Sequence, residues 1–199
     1  MKKIAIIDYK VGNIESLKNF FKDLGFQSYL TDQKKKIEDS DIIILPGIGA
    51  FPSAIKIMKK KGLIDTIKKI SKSGKPIIGI CLGMQLLTTK SYEFKETMGL
   101  DLIPGEIHPI EDNQYQIGWN HLISKKIDIS LWHSPQDNYY FNHSYYFKGS
   151  KNYIYATAFK NKELPAIIRN KNIYGIQFHP EKSQESGKNL MINLLKSFN

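Results

Sequence analysis

The chain has 199 residues, 41% hydrophobic and 24% charged, enough for one well-buried core and giving no reason to divide it, so a single domain over residues 1–199 is expected. No apolar run reaches the roughly 20 residues that cross a bilayer, and Met-Lys-Lys-Ile-Ala-Ile-Ile-Asp meets an acid too early for a secretory leader; a cytoplasmic protein with no membrane partner is expected. The net charge of +10 invites a nucleic-acid reading, but Arg169 is the only arginine and the lysines at 34–36, 59–61, 68–69 and 125–126 are dispersed, so a solvated basic surface and no nucleic-acid partner are expected.

Residues 3–8 are a short apolar run and predict a first strand. Gly12-Asn13 follow, and Ile14, Leu17, Phe20, Phe21 and Leu24 recur at helical spacing, closed by Gly25 as a C-cap. Strands are expected at 27–30 and 41–45, the second apolar throughout, as for a strand covered on both faces. Pro46-Gly47-Ile48-Gly49-Ala50 breaks it, and helical patterns run over 51–60 and 63–72. Lys75-Pro76 leads into an apolar strand that ends at Ile80, where Cys81 begins a turn into another helical pattern.

The second half changes character. Residues 139–159 are rich in aromatic and β-branched side chains with Asn and Gly breaks, which predicts strands paired with fewer helices between them. Residues 173–178 read as a buried strand ending at His179, and 186–198 as a closing amphipathic helix. The alternation predicts an α/β fold whose central, mostly parallel sheet is flanked by helices and becomes more antiparallel in its second half. Sites in such sheets gather beyond the carboxyl ends of the strands, so the segments after Leu45, Ile80 and Phe178 are expected to converge.

Cys81 is the only cysteine, so it cannot form an intramolecular disulfide and is free for chemistry in a reducing compartment. In Gly79-Ile80-Cys81-Leu82-Gly83 it stands where a strand turns sharply into a helix, a geometry that lifts one side chain clear of the sheet. The helix dipole and free backbone N–H groups there favour an anion. Gly79 and Gly83 are the positions where a side chain would collide with the strand-helix packing. His179 is the candidate proton shuttle. Pro180 biases it towards an extended backbone, in which positions i and i+2 share a side, so Glu181 is expected beside the imidazole to hold its tautomer. Leu82 and the Gly47-Ile48-Gly49 turn can supply the N–H groups of an oxyanion hole, with Ile48 and Gly49 as the second donors. His108, His121, His133 and His143 lack a carboxylate in this arrangement and are expected in structural or surface roles. With one cysteine, no zinc-ligand spacing is present, and neither a metal nor a cofactor is expected.

Gly79-Ile80-Cys81-Leu82-Gly83-Met84-Gln85 together with His179-Pro180-Glu181 resembles the class I (triad) glutamine amidotransferases, over essentially the whole chain. The resemblance implies a flavodoxin-like fold, a Cys81, His179, Glu181 triad and hydrolysis of L-glutamine to L-glutamate and ammonia. It also implies that Gln85, Glu93, Ser144 and Tyr145 hold the substrate. Asp8-Tyr9, Gly12-Asn13-Ile14, Pro46-Gly47-Ile48-Gly49-Ala50-Phe51, Gly118-Trp119-Asn120, Asn142-His143-Ser144-Tyr145-Tyr146 and Pro180-Glu181-Lys182-Ser183 are similar, more narrowly, to the glutaminase subunits of imidazole glycerol phosphate synthases. That implies a heterodimer in which ammonia passes into a (β/α)8-barrel cyclase subunit to make imidazole glycerol phosphate and AICAR in histidine biosynthesis. Asn13, Trp119 and Lys182 match positions near that interface.

Two segments depart from the family pattern. Lys10 stands where a glycine usually follows Asp-Tyr, and Gln114-Tyr115-Gln116-Ile117 replaces the usual Val-Pro-His-Met. Neither touches the triad, and both fall in segments expected near the partner. The acceptor therefore stays open between the histidine pathway and a partner that amidates a surface-polysaccharide sugar. Rival readings are a cysteine hydrolase acting on another amide or peptide, and, more distantly, a non-catalytic basic binding module.

Overall fold

The computed structural model describes residues 2–10, 14–110, 115–126, 134, 136–159 and 163–198. In chain order the first half comprises β1 (Lys3–Ile7), α1 (Ile14–Asp23), β2 (Gln27–Thr31), α2 (Lys34–Glu38), β3 (Ile42–Leu45), α3 (Phe51–Lys60), α4 (Leu63–Lys72), β4 (Ile77–Ile80) and α5 (Leu82–Leu86). The second half is mostly strand: β5 (Thr88–Ser91), β6 (Thr97–Met98), β7 (Ile103–Pro109), β8 (Gln116–Ser124), β9 (Asn138–His143), β10 (Tyr145–Lys148), β11 (Ile154–Phe159), β12 (Glu163–Asn170) and β13 (Ile173–Ile176). A 3-10 turn at Pro180–Lys182 and α6 (Gln184–Ser197) close the chain.

Among the described residues the main sheet has nine strands in the order β2-β1-β3-β4-β13-β12-β11-β8-β9. The pairs from β2 to β13 are parallel, and those from β13 to β9 are antiparallel. The expected change of character is thus a change of strand direction at β13. A second sheet, β10-β7-β5-β6, packs beside it and has no counterpart in the sequence reading.

All four residues of β3 and of β4 are buried. Because strand side chains alternate, Ile42 and Ile44 join one apolar cluster with Phe20 and Phe21 of α1 and Leu190, Leu194 and Leu195 of α6. Ile43 and Leu45 join the other with Ala54 and Met58 of α3 and Leu63 and Ile67 of α4. A central strand covered on both faces has no polar face to offer solvent, which accounts for the unbroken Ile-Ile-Ile-Leu run. Each such buried side chain contributes about 1.5–3 kcal/mol. The α1 end is also as read: Gly25, at φ 80, donates to the Lys22 carbonyl, and Phe26 reaches back to that of Phe21, a Schellman closure.

Parallel pairing puts the carboxyl ends of β1, β3, β4 and β13 on one edge. The register aligns them closely, with Leu45 opposite Gly79, Gly79 opposite Gly175, and Ile80 opposite Ile176. The segments that leave those strands therefore emerge side by side. The helical pattern after Cys81 proves short: α5 has five residues before the chain turns into β5 of the second sheet.

Candidate active site

Cys81 caps α5 with φ 52 and ψ −109, a backbone conformation that side chains other than glycine rarely hold. Its N–H donates to the Ile176 carbonyl at 2.7 Å, which ties the elbow to β13. The turn exists because its neighbours lack side chains. A Cβ on Gly79 would lie 2.6 Å from the Met84 nitrogen, and one on Gly83 would lie 2.7 Å from the Leu45 carbonyl carbon. Gly47 is equally confined, with its would-be Cβ 2.6 Å from the Gly83 nitrogen. The Pro46 turn is thus pressed against the start of α5, where the first N–H groups have no intrahelical partner.

His179 follows β13 with an extended backbone and donates its N–H to the Tyr140 carbonyl at 2.9 Å. Its Nδ1 lies 2.9 Å from Glu181 Oε1. The expected pairing is present, but the expected route to it is not. Residues 180–182 form a 3-10 turn rather than an extended strand, so turn geometry, not alternation, brings the carboxylate to the ring. Burial on its own favours the neutral imidazole, yet hydrogen bonds to the Cys81 sulfur and the Glu181 carboxylate, reinforced by their charges, outweigh it and push the group up to about 10. The imidazole thus stands between the Cys81 sulfur and the Glu181 carboxylate.

A cleft of about 190 Å³ lies over this edge, lined by Gly47, Ile48, Gly49, Cys81, Leu82, Gln85, Glu93, Asn142, His143, Ser144, Tyr145, His179 and Lys182. Drug-sized ligands occupy about 300–1,000 Å³, so the space suits a small metabolite. The cleft brings together Cys81, His179 and the anticipated oxyanion and substrate residues, while Glu181 stands behind the imidazole and does not line it. Glu93 is buried in the loop after β5, where its Oε2 accepts the Phe51 N–H at 2.7 Å. Burial raises its carboxyl above the usual range, partly offset by that N–H. Gln85 is buried on α5, and its Nε2 reaches the Oε1 of Gln177 at 3.4 Å.

Trp119 is 47% exposed on β8, stacked edge-on to Tyr140 with ring centroids 5.9 Å apart. Lys182 reaches over the other partner of that pair, with its Nζ 5.9 Å from the Tyr140 ring centre. Of these two expected interface residues Lys182 lines the cleft, and Trp119 is linked to it through the shared Tyr140 ring. Asn13 lies outside the described residues, as does His133.

Sequence reasoning missed several neighbours. Gln177 is fully buried and points its Nε2 at the Cys81 sulfur, 3.8 Å away; a lone polar residue in the apolar 173–178 run was its signal. Ser183 donates to the His179 carbonyl at 2.6 Å and accepts from the Tyr140 N–H at 2.9 Å, fixing the His179 backbone from behind. His143, expected in a structural or surface role, forms part of the cleft wall. Its Nδ1 meets the Tyr145 carbonyl at 2.8 Å and so carries the proton, leaving a buried Nε2 without a partner. His108 does face a carboxylate, Glu106 at 2.8 Å, but on β7 and away from the cleft. Among the described residues no helix is long and apolar enough to cross a membrane, and no group of three His, Cys, Asp or Glu side chains could hold a metal ion.

A family model described as "Glutamine amidotransferase class-I" matches residues 5–197. The chain is 43% identical over 195 residues to "Imidazole glycerol phosphate synthase subunit HisH" of Bacillus mycoides (strain KBAB4), covering 96% of this chain and 92% of that one. It is 42% identical over 195 residues to the protein of that name from Lactococcus lactis subsp. lactis (strain IL1403), covering 96% of each. Among solved structures, "Structure of PurLQS from Thermotoga maritima" superimposes with a TM-score of 0.80 over 100% of both chains at 19% identity. "Crystal structure of glutamine amidotransferase" gives 0.78 over 97% of both at 18% identity. These two likenesses concern the fold.

Proposed function

We propose, from the premise that this chain belongs to the class I glutamine amidotransferase family, that it is the glutaminase subunit of an imidazole glycerol phosphate synthase. The observation that carries the chemistry is the convergence of Cys81 and His179 on one cleft, with Glu181 Oε1 behind the imidazole, 2.9 Å from His179 Nδ1. The names and 42–43% identity of the relatives favour the histidine pathway over sugar amidation.

In this reading Cys81 attacks the carboxamide carbon of L-glutamine, and the carbonyl π electrons move onto oxygen. Backbone N–H groups of Leu82 and of Ile48 or Gly49 hold that oxyanion. The His179 imidazolium gives its proton to the departing nitrogen, ammonia leaves, and a glutamyl thioester remains. Neutral His179 then takes a proton from water as it attacks the thioester, and collapse of the second oxyanion expels the Cys81 thiolate and frees L-glutamate. Glu181 keeps the proton on Nδ1 throughout, so that Nε2 serves as both acid and base. Glu93 pairs with the substrate α-ammonium, while Gln85, Ser144 and Tyr145 complete the grip on the head group.

The ammonia passes to a (β/α)8-barrel cyclase subunit docked over the cleft, with Asn13, Trp119 and Lys182 at the contact. A single free thiol agrees with work in the reducing cytoplasm. The test is to mix the chain with a barrel cyclase subunit and follow ammonia release from glutamine. Stimulation by the imidazole-forming nucleotide acceptor supports the reading, whereas stimulation only by a sugar-amidating partner redirects it.

A further inference from the structure

We propose that Tyr9 is a positioning residue for the turn at 47–49, its buried hydroxyl fixing the peptide that leads into the oxyanion hole. The inference rests on the reading of Ile48 and Gly49 as oxyanion donors. Tyr9 lies just beyond β1, and β1 runs parallel to β3 with Ile6 opposite Ile44, so the exits of the two strands travel together. The Tyr9 side chain is fully buried and its hydroxyl donates to the Pro46 carbonyl. A peptide is planar, so fixing that carbonyl also fixes the direction of the Gly47 N–H and the entry to the turn.

The far end of the turn is held in a similar way. There the Phe51 N–H donates to the buried Glu93 carboxylate at 2.7 Å. From behind, Gly47 presses on the first residues of α5, with no room for a Cβ. Between the two anchors Ile48 and Gly49 are exposed, and Gly49 sits at φ 131. The two proposed donors are therefore positioned by their ends. Tyr9 does not line the cleft and makes no contact that a substrate would share. Burial, with the Cys81 charge adding, holds its phenol well above the ordinary tyrosine range, so it stays a donor.

The test is Tyr9→Phe, which keeps the ring and removes the donor, measured in the chain saturated with the cyclase subunit. A misplaced turn should lower kcat for glutamine at least about ten-fold while KM stays within about two-fold. L-glutamate γ-semialdehyde provides a second reading. The Cys81 thiolate adds to its aldehyde carbon, forming an S–C bond as the C=O π pair becomes an oxyanion, so its affinity should fall with kcat while that of L-glutamate does not. p-Aminophenylalanine at position 9 restores an N–H donor and should recover activity; it also serves if Tyr9→Phe folds poorly. Ile48→Pro removes an N–H from the turn itself. If it impairs turnover while Tyr9→Phe leaves kcat and aldehyde affinity intact, the Tyr9 inference is overturned and the oxyanion reading stands. If neither Ile48→Pro nor Gly49→Pro alters turnover, the oxyanion reading fails and the inference with it. If Tyr9→Phe weakens L-glutamate and kcat together, the hydroxyl supports the fold rather than the turn, and the inference is again overturned.

Discussion

His179 and Glu181 meet at 2.9 Å with their side chains only 4% and 7% exposed, so this contact is made out of water's reach. A buried carboxylate whose second oxygen has no partner among the described residues directs its charge mainly at the imidazole. Glu181→Gln removes that charge and the control of the tautomer. We expect kcat for glutamine to fall by about 10²–10⁴ with KM little changed, since Glu181 does not line the cleft. A kcat within two-fold of the parent would mean that the acid does not orient the base.

The two buried histidines of the site respond to pH with opposite sign. For His179 the folded value, about 10, lies above the ordinary imidazole value of about 6.5. Its stabilisation is therefore complete below about pH 6.5 and lost as pH rises through the folded value. For His143 burial lowers the folded value to about 4, the Tyr145 carbonyl opposing this and the His179 charge adding to it. Its contribution is a cost that grows as pH falls from about 6.5 towards 4, because the unfolded chain takes up a proton that the folded one refuses. Imidazole NMR at about pH 8 should show a charged His179 and a neutral His143. Cys81→Ala should lower the His179 midpoint, and a neutral His179 in the parent protein would contradict the ion pair.

The elbow glycines should tolerate less than the helix-capping ones. Gly83→Ala drives a methyl group into the Leu45 carbonyl, whereas Gly25→Ala meets nothing within 4 Å and costs only the strain of φ 80. Thermal unfolding should show Gly25→Ala losing about 1 kcal/mol and Gly83→Ala distinctly more. Alkylation of Cys81 by a glutamine-like chloroketone should then survive the first change and fail in the second. Equal behaviour of the two variants would remove the packing account of the elbow.

Glu93 faces both the backbone and the cleft. Glu93→Gln keeps an oxygen for the Phe51 N–H but loses the charge for a substrate ammonium. We expect KM for glutamine to rise by about 10–100-fold, on the scale of one charged hydrogen bond, with the thermal midpoint nearly unchanged. Glu93→Ala should in addition lower the midpoint, because the Phe51 N–H loses its partner. An unchanged KM in the glutamine variant would remove Glu93 from the substrate site.

Trp119 is an exposed aromatic on β8, the kind of side chain that anchors an interface. Trp119→Ala should weaken docking of the cyclase subunit at least about ten-fold by titration calorimetry while leaving alkylation of Cys81 unchanged. Full-strength docking would relocate the interface.

Those contacts that depend on sequence-local physics were legible in advance. Ile42 to Leu45 could only be a doubly covered strand, Gly25 could only end a helix there, and glycines two residues either side of Cys81 marked an elbow. The alternation of strands and helices also fixed the edge on which Cys81 and His179 meet. What escaped were contacts made by ordinary residues across the fold. Nothing local to Tyr9 points to the Pro46 carbonyl, and nothing local to Ser183 points to Tyr140. The short, largely polar β5 and β6 carry too little periodicity to announce a sheet. The Glu181 contact was foreseen from a strand-like backbone and is made by a turn, so the residue types carried more information there than the conformation assumed for them.

The placing of β13 between β4 and β12 has a consequence for synthesis. Among the described strands the one that leads to His179 is made last, yet it belongs in the middle of the main sheet. Until it inserts, the earlier parallel strands and the later antiparallel ones have no common seam, and such long-range closure is slow. A nascent chain thus presents Cys81 long before His179 is beside it. That late-made strand both joins the two halves of the sheet and brings His179 to Cys81, so chains that lack it have neither the seam nor the pairing.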